Sequence, residues 1–186
     1  MDSVNSAATE WLGFHGTSLE SARGIVHGNY RISTEESEWL GHGAYFFIAG
    51  LNEPRTKAME WAKFRSWDKT TRTRKYARYA VLQSKILTAT HLDLDDPDDQ
   101  RIFEAVREKC TKRMRNEGFR GLALENDCYL ANFAMSYLGL DALVRKEAIQ
   151  TRVDQPKTRI PNCRIMCVKF PDRCVSEHRI IEKGKI

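Results

Sequence analysis

The hydrophobic pattern of the first third of the chain predicts two strands separated by a helix. An apolar run over residues 11–14 predicts a short strand that ends at His15. The next segment repeats apolar residues at helical spacing, and the pair Gly28-Asn29 predicts the helix end. Its apolar face is made of Leu19, Ala22, Ile25 and Val26. A brief strand at 30–32 and a polar turn at 35–39 then lead to a buried, aromatic-rich strand over 44–48.

The middle of the chain alternates helical and extended patterns. Pro54 opens a predicted helix over 54–67, and the polar, basic stretch 69–76 predicts a loop. Extended segments follow at 77–87 and 91–94. An acidic, proline-containing start signal at 95–98 opens a helix that runs to about residue 116 and stops before Gly118.

The last third is predicted as a strand at 119–124, a helix at 128–138 and extended stretches at 143–153 and 163–170. The remainder, 171–186, is polar apart from Ile180-Ile181. The whole pattern indicates a mixed α+β chain that forms a single domain over 1–186, with residues 1–9 as a loose N-terminal tail.

Composition adds a cellular context to this fold class. Apolar residues make up 41% of the chain and charged residues 30%, which is typical of a soluble globular protein. No apolar run is long enough for a membrane span, and the first residues lack the pattern of a signal peptide. Five scattered cysteines without a CxxC pair indicate free thiols in a reducing compartment. We therefore expect a cytoplasmic protein with no membrane partner.

Two glycine-rich motifs are the candidates for chemistry. The first is Gly13-Phe14-His15-Gly16-Thr17, and the second is Leu40-Gly41-His42-Gly43-Ala44-Tyr45-Phe46-Phe47. Each joins a glycine turn, where the backbone lets a ligand approach closely, to an apolar strand with a polar group. No P-loop, HExxH or GxSxG motif is present. The two motifs are therefore expected to form opposite sides of one cleft.

The order and spacing of these motifs resemble the ADP-ribosyltransferase fold of the poly(ADP-ribose) polymerase and diphtheria-toxin-like branch. That branch has a His-Gly-Thr motif followed by Gly-x-Gly-x-Tyr-Phe, and residues 13–62 also resemble small bacterial toxin and phage-defence effectors of this branch. The resemblance covers about fifty residues closely, and the rest of the chain only as an order of elements. It implies two small, mainly antiparallel sheets that form an NAD cleft with flanking helices.

The resemblance also implies a role for individual residues. His15 would bind a hydroxyl of the adenine-side ribose of NAD, and the backbone of Gly16 would hold the nicotinamide carboxamide. Thr17 would fix the turn and cap the first helix, as its spacing from Glu20 also suggests. Tyr45 would stack on the nicotinamide ring, and Gly43 belongs to the same cofactor-binding motif. No metal is implied.

Two polar contacts of the family do not follow directly from these motifs. A Lys-Ser pair of the family corresponds here to Lys57-Ala58, which lacks the hydroxyl. The catalytic carboxylate, which would stabilise positive charge on the ribose, is expected at Glu147, because another predicted strand follows it. Glu177 is the alternative, although little chain follows it, and Glu125 and Asp127 are weaker candidates.

A basic, tyrosine-containing segment is the candidate for binding the acceptor. The predicted acceptor-binding residues are Arg72, Arg74, Lys75 and Tyr76. Cations neutralise phosphates and tyrosines stack on unpaired bases, so the segment slightly favours a nucleic-acid acceptor, RNA or DNA, over a protein. A solvated basic loop and a site for the NAD pyrophosphate are the alternatives.

A zinc site is a further alternative for the C-terminal region. The spacing C-x3-C-x6-C-x3-H is formed by Cys163, Cys167, Cys174 and His178. Because the first two cysteines fall on a predicted strand, we favour a role in the core and expect no metal.

The function expected from the resemblance is that of an NAD-dependent mono-ADP-ribosyltransferase that releases nicotinamide, with His15, Tyr45 and Glu147 as catalytic residues. It would be a toxin-like or phage-defence effector, with an antitoxin protein as a partner. The alternatives are an NAD glycohydrolase, and a non-catalytic NAD- or nucleic-acid-binding module of the same fold.

Overall fold

The computed structural model describes residues 8–152, 154 and 156–186, which form a mixed α+β fold. The strands are β1 Thr9–Ser18, β2 Ala44–Ile48, β3 Trp67–Asp68, β4 Thr73–Arg74, β5 Arg78–Thr88, β6 His91–Asp93, β7 Ala142–Glu147, β8 Cys163–Val168 and β9 Val175–Lys185. The helices are α1 Leu19–His27, α2 Pro54–Arg65, α3 Pro97–Asn116, α4 Ala123–Leu138 and α5 Pro171–Cys174. Most of the predicted tail, residues 1–7, lies outside the described residues, and Thr9 already belongs to β1.

One seven-stranded sheet replaces the two small sheets that were expected. Its order is β6-β7-β8-β2-β1-β5-β9, and β3 and β4 form a separate two-stranded ribbon. All neighbours in the large sheet are antiparallel except β6 and β7. The central strands β1 and β2 share a single paired position, Phe14 with Phe47, whereas β1 and β5 pair over ten residues. Instead of two separate sheets, the chain thus forms one sheet with two halves, β6-β7-β8-β2 and β1-β5-β9, which are joined at the Phe14–Phe47 pair.

Helix α2 packs closely against β1 because both surfaces are small at the contact. Ala58 and Ala62 of α2 are fully buried. Opposite them lies Gly16, where an added Cβ would stand 1.7 Å from the Ala58 carbonyl oxygen. Only glycine permits this distance between strand and helix, so the first motif fixes the position of α2.

The start of α1 differs from the prediction by one residue. Ser18, not Thr17, is the N-cap, and its Oγ accepts a hydrogen bond from the backbone N–H of Ser21 at 3.0 Å. Thr17 is the penultimate residue of β1, paired with Ala80 of β5. Because Thr17 pairs within the sheet, the helix begins one residue later and Ser18 caps it.

Three further predictions of secondary structure are wrong. The stretch 119–124 is not a strand but leads into α4, where the Glu125 carboxylate accepts from the Leu122 N–H at 2.6 Å. Residues 30–32 form no strand, and the only pairing nearby in the described chain is the isolated bridge between Ser33 and Gly43. The basic stretch 69–76 is not only a loop, because it contains β4, which pairs with β3 immediately before the stretch.

The longest missed element is β9, which forms one edge of the sheet beside β5. Its side chains are mostly exposed or half-buried, so the apolar alternation that identifies a strand is weak there. The pairing also contains register shifts. Among the helices of the described residues, none is both long and apolar enough to cross a membrane.

We predict that Gly16→Ala destabilises the protein by about 3 kcal/mol or more, because the new methyl group overlaps the Ala58 carbonyl and α2 has to move. The measurement is urea-induced unfolding followed by circular dichroism. Gly24→Ala in α1 is the matched control, since nothing lies within 4 Å of its added Cβ. That variant should be neutral or stabilised by about 1 kcal/mol through helix propensity. Equal losses of stability in the two variants would contradict the close contact.

Candidate functional site

A cleft of about 970 Å³ opens where the two halves of the sheet separate. One wall is formed by the end of β1 and by α1, and the other by β2 with the irregular segment 29–39. The predicted residues His15, Gly16, Thr17, Gly43 and Tyr45 all line it. The structure therefore brings the two sequence motifs together, and the cleft lies within the size range of small-molecule and cofactor sites.

The imidazole of His15 has a defined tautomer. Its Nδ1 lies 2.8 Å from the backbone carbonyl oxygen of Tyr45, and because a carbonyl only accepts, Nδ1 carries the proton. Burial lowers the pKa of His15, although the hydrogen bond to Tyr45 opposes this effect, so the ring is neutral at pH 7. Nε2 makes no hydrogen bond with the described residues and is an acceptor on the wall of the cleft.

The ring of Tyr45 is fixed by its own hydroxyl group. The hydroxyl donates to the Gly41 carbonyl at 2.7 Å and accepts from the Leu40 N–H at 2.8 Å. Burial, with a smaller contribution from Cys167, raises the pKa of Tyr45, so the hydroxyl remains protonated and keeps both bonds. The ring is thereby held across a tight loop and presents only its apolar surface to the cleft.

Glycines shape the loop that carries Tyr45. Gly41 has φ +79°, a conformation that favours glycine, and an added Cβ at Gly43 would lie 2.5 Å from the Cys167 Sγ. Asn132 of α4 supports the loop by accepting from the His42 N–H at 2.7 Å. The second motif thus serves to hold β2, β8 and α4 close to one another around Tyr45.

A row of aromatic rings extends from the cleft toward α2. Trp39 lies between Tyr45 and Trp61, with ring centroids 6.3 Å and 5.4 Å away, and Trp61 stacks on Phe64 at 6.0 Å. Both tryptophans line the cleft. Neither was singled out in the site prediction, because an apolar tryptophan in a turn or helix resembles any core residue.

Only part of the predicted acceptor-binding segment lines the cleft. Lys75 and Tyr76 line the cleft, and the Tyr76 hydroxyl donates to the Ala62 carbonyl at 2.5 Å. Arg74 instead lines a neighbouring cavity and donates to Ser66 at 3.0 Å. Arg72 is exposed at the turn of the β3–β4 ribbon, with φ 54°. Two of the four predicted acceptor-binding residues therefore border the cleft.

Glu147 lies outside this cleft. It is at the end of β7 and lines a separate cavity of about 470 Å³, which shares Trp39 with the cleft. Its Oε2 accepts from the Arg145 guanidinium, with Nε at 2.7 Å, and its Oε1 accepts from the Ala148 N–H at 3.1 Å. Ile149, two residues further, reaches the cleft with an apolar side chain.

Glu38 is the half-buried carboxylate of the cleft and was not among the predicted site residues. Its Oε1 accepts from the Ser33 hydroxyl, and burial raises its pKa while that hydrogen bond opposes the effect. Glu20, at the start of α1, also lines the cleft but is exposed. Position 38 falls in an irregular turn of several acidic residues, so nothing in the pattern distinguishes it from exposed Glu35 and Glu36.

The other predicted carboxylates lie elsewhere. Glu177 is exposed on β9 with φ 54° and does not line the cleft. Glu125 caps α4, and Asp127 lines the same cavity as Glu147. In the described chain, Glu38 is therefore the carboxylate that combines partial burial with access to the cleft.

The residues of the zinc alternative do not come together. The Sγ of Cys163 donates to the Glu147 carbonyl at 3.3 Å, and that of Cys167 to the Gly41 carbonyl at 3.6 Å. Burial raises the pKa of the Cys163 thiol to about 11 and also raises the pKa of Cys167, which keeps both protonated. Within the described ranges, no group of three or more candidate ligands is arranged to hold a metal ion.

This geometry suits a ligand that combines a flat ring with a hydroxyl group. The surface of Tyr45 and the neighbouring tryptophans offer stacking, and Nε2 of His15 offers an acceptor. Comparisons with protein-family models, curated proteins and solved structures found no match to this chain.

We predict that protonation of His15 contributes to acid destabilisation. Because burial lowers the pKa of His15 in the folded state, the unfolded chain binds more protons below about pH 6.5, and stability falls as pH decreases through that window. One such group contributes a slope of at most about 1.4 kcal/mol per pH unit. His15→Asn retains a donor for the Tyr45 carbonyl but does not titrate.

The measurement is the free energy of unfolding of both proteins between pH 7.5 and 4.5, roughly the range over which imidazoles titrate. His15→Asn should show a smaller slope than the parent. Some slope remains, since burial also lowers the pKa of His178. Identical slopes would contradict a neutral, buried His15.

Proposed function

We propose that this chain is an NAD-dependent mono-ADP-ribosyltransferase with an ADP-ribosyltransferase fold. The observation that carries the proposal is that the fixed Tyr45 ring and the acceptor Nε2 of His15 line one cleft. A nicotinamide ring would stack near Tyr45, and a ribose hydroxyl of the adenosine half would donate to Nε2. Gly16 and Gly43 line the same space, and the close packing that each permits against Ala58 and Cys167 fixes the two walls of the cleft.

In this reaction the bond between the nicotinamide nitrogen and the ribose carbon breaks, and the electron pair leaves with nicotinamide. The ribose becomes positively charged, and a nearby carboxylate stabilises it. We assign this role to Glu38, because Glu147 lies beyond Trp39 in the neighbouring cavity. The acceptor nucleophile then bonds to the ribose carbon and loses its proton. Where water is the acceptor, the same chemistry is NAD hydrolysis.

A second candidate is a non-catalytic NAD-binding module. It is favoured by one observation, namely that Glu147, the carboxylate expected from the motif order, does not line the cleft. The toxin-like or defence role, with an antitoxin as partner, is a proposal that rests on the motif resemblance.

The test is release of nicotinamide from radiolabelled NAD. We expect Glu38→Gln to slow the release roughly 100-fold, the usual scale for removal of one electrostatic stabiliser, with little change in NAD affinity. His15→Ala should weaken NAD binding because it removes the acceptor. Glu36→Gln is the matched control, because Glu36 is an exposed carboxylate two residues away that does not line the cleft.

The variant Glu147→Gln distinguishes the two assignments of the carboxylate. Loss of activity in Glu147→Gln with normal activity in Glu38→Gln would show that Glu147 stabilises the charged ribose, and would overturn the assignment to Glu38. Binding of NAD without release of nicotinamide in the parent, with lysate and nucleic acid present, would support the non-catalytic module. Label transferred to a macromolecule distinguishes transfer from hydrolysis.

A further inference from the structure

A second cavity of about 910 Å³ adjoins the cleft and is strongly basic. It lies between the end of α2, the β3–β4 ribbon and the end of β9. Six of its cations form no ion pair with a carboxylate in the described part of the chain, namely Lys63, Arg65, Lys69, Arg74, Lys75 and Lys185. Unpaired cations that converge on one concave surface attract a polyanion.

The two carboxylates in this cavity are already engaged by the chain. Asp68 accepts from the backbone N–H groups of Thr70 at 2.8 Å and Thr71 at 3.3 Å. Asp154 forms an ion pair with Arg152 at 2.6 Å. Asp154 thus offsets Arg152, and Asp68, which interacts electrostatically with Lys75, offsets only part of the charge of the six cations, so the cavity keeps an excess of positive charge.

Aromatic rings accompany this charge. Trp67 of β3 lines the cavity and is 48% exposed, so its ring is accessible to a bound molecule. Phe64 also lines the cavity and is the last ring of the row that begins at Tyr45. Recognition of single-stranded nucleic acid combines two elements, which are aromatic rings on which bases stack and cations that neutralise phosphates. The cavity contains both.

The cavity is connected to the cleft. Arg65 and Lys75 line both spaces, and Trp61, which lines the cleft, stacks on Phe64 in the cavity. A strand bound in the cavity would therefore lead directly to the opening of the cleft. This arrangement suits an acceptor that is held by its backbone and presents one nucleotide to the reactive ribose carbon.

We propose that the basic cavity, which we call the Trp67 cavity, binds single-stranded nucleic acid. An acidic protein would use the cations but has no need of an exposed tryptophan, and a duplex keeps its bases stacked away from such a ring. The binding itself follows from the Trp67 cavity alone. Its role in presenting the acceptor rests on the proposed transferase function.

The test is fluorescence anisotropy with a labelled single-stranded RNA of about 12 nucleotides, a length within the usual site size. Binding is measured over a salt series, without NAD, for the whole chain. The variant Lys69→Ala/Lys185→Ala removes two exposed cations that do not line the cleft. The logarithmic salt slope should fall by about 0.7 for each RNA phosphate that the variant no longer neutralises.

Trp67→Ala tests the stacking contribution separately. It should weaken binding roughly 5- to 100-fold and leave the salt slope unchanged, because it removes a ring and no charge. The control is Lys112→Ala/Arg115→Ala on α3, which removes the same charge from residues that line none of the three cavities. That variant should bind like the parent.

Three results would overturn the proposal. They are a flat salt dependence in the parent, equal affinity for a duplex of the same sequence, and an equally weakened affinity in the α3 control. Effective competition by polyglutamate would indicate an acidic protein instead. Nicotinamide release from NAD is measured in parallel, so that RNA binding without NAD cleavage would refute the proposed transferase and leave this inference intact.

Discussion

The hydrogen bond from His15 to the Tyr45 carbonyl connects the two halves of the sheet at the point where their backbones part. Only Phe14 and Phe47 pair between β1 and β2. Beyond that position, the side chain of His15, and no backbone pairing, links the two strands. The bond fixes the imidazole tautomer, directs Nε2 to the cleft and links β2 to β1 beyond their paired position. The next residue, Gly16, holds α2 against β1, because an added Cβ would overlap the Ala58 carbonyl.

The two motifs were predictable because each is local. A glycine turn, a strand and a polar tip lie within a few residues, so their conformations are determined largely by neighbouring sequence, and the structure places His15 and Tyr45 in the same cleft. Strand β2 was also predictable, since its apolar run is continuous, and β7 and β8 were predictable from the buried apolar residues that make up much of each strand. The α+β class followed from these same patterns.

The rest depends on contacts between distant parts of the chain. Edge strand β9 carries a weak apolar pattern because only one side of it pairs with another strand. Glu38 lies in a segment without periodicity, and its access to the cleft is set by the Ser33 to Gly43 bridge and by Trp39. Glu147 lines the neighbouring cavity because β7 ends there, with Trp39 between that cavity and the cleft. The sequence pattern contains no signal that predicts on which side of Trp39 a distant carboxylate lies.

The edges of the sheet have a consequence for behaviour at high concentration. An open edge exposes unpaired backbone groups that can add a strand from a second copy of the chain. Strand β6 is only three residues long, and β9 combines register shifts with charged residues such as Arg179 and Lys183. Both features discourage edge-to-edge addition, because a short or irregular edge offers few hydrogen bonds and charged side chains on an edge resist burial. The fold thus leaves the Trp67 cavity accessible and does not favour self-association through the edges of the sheet.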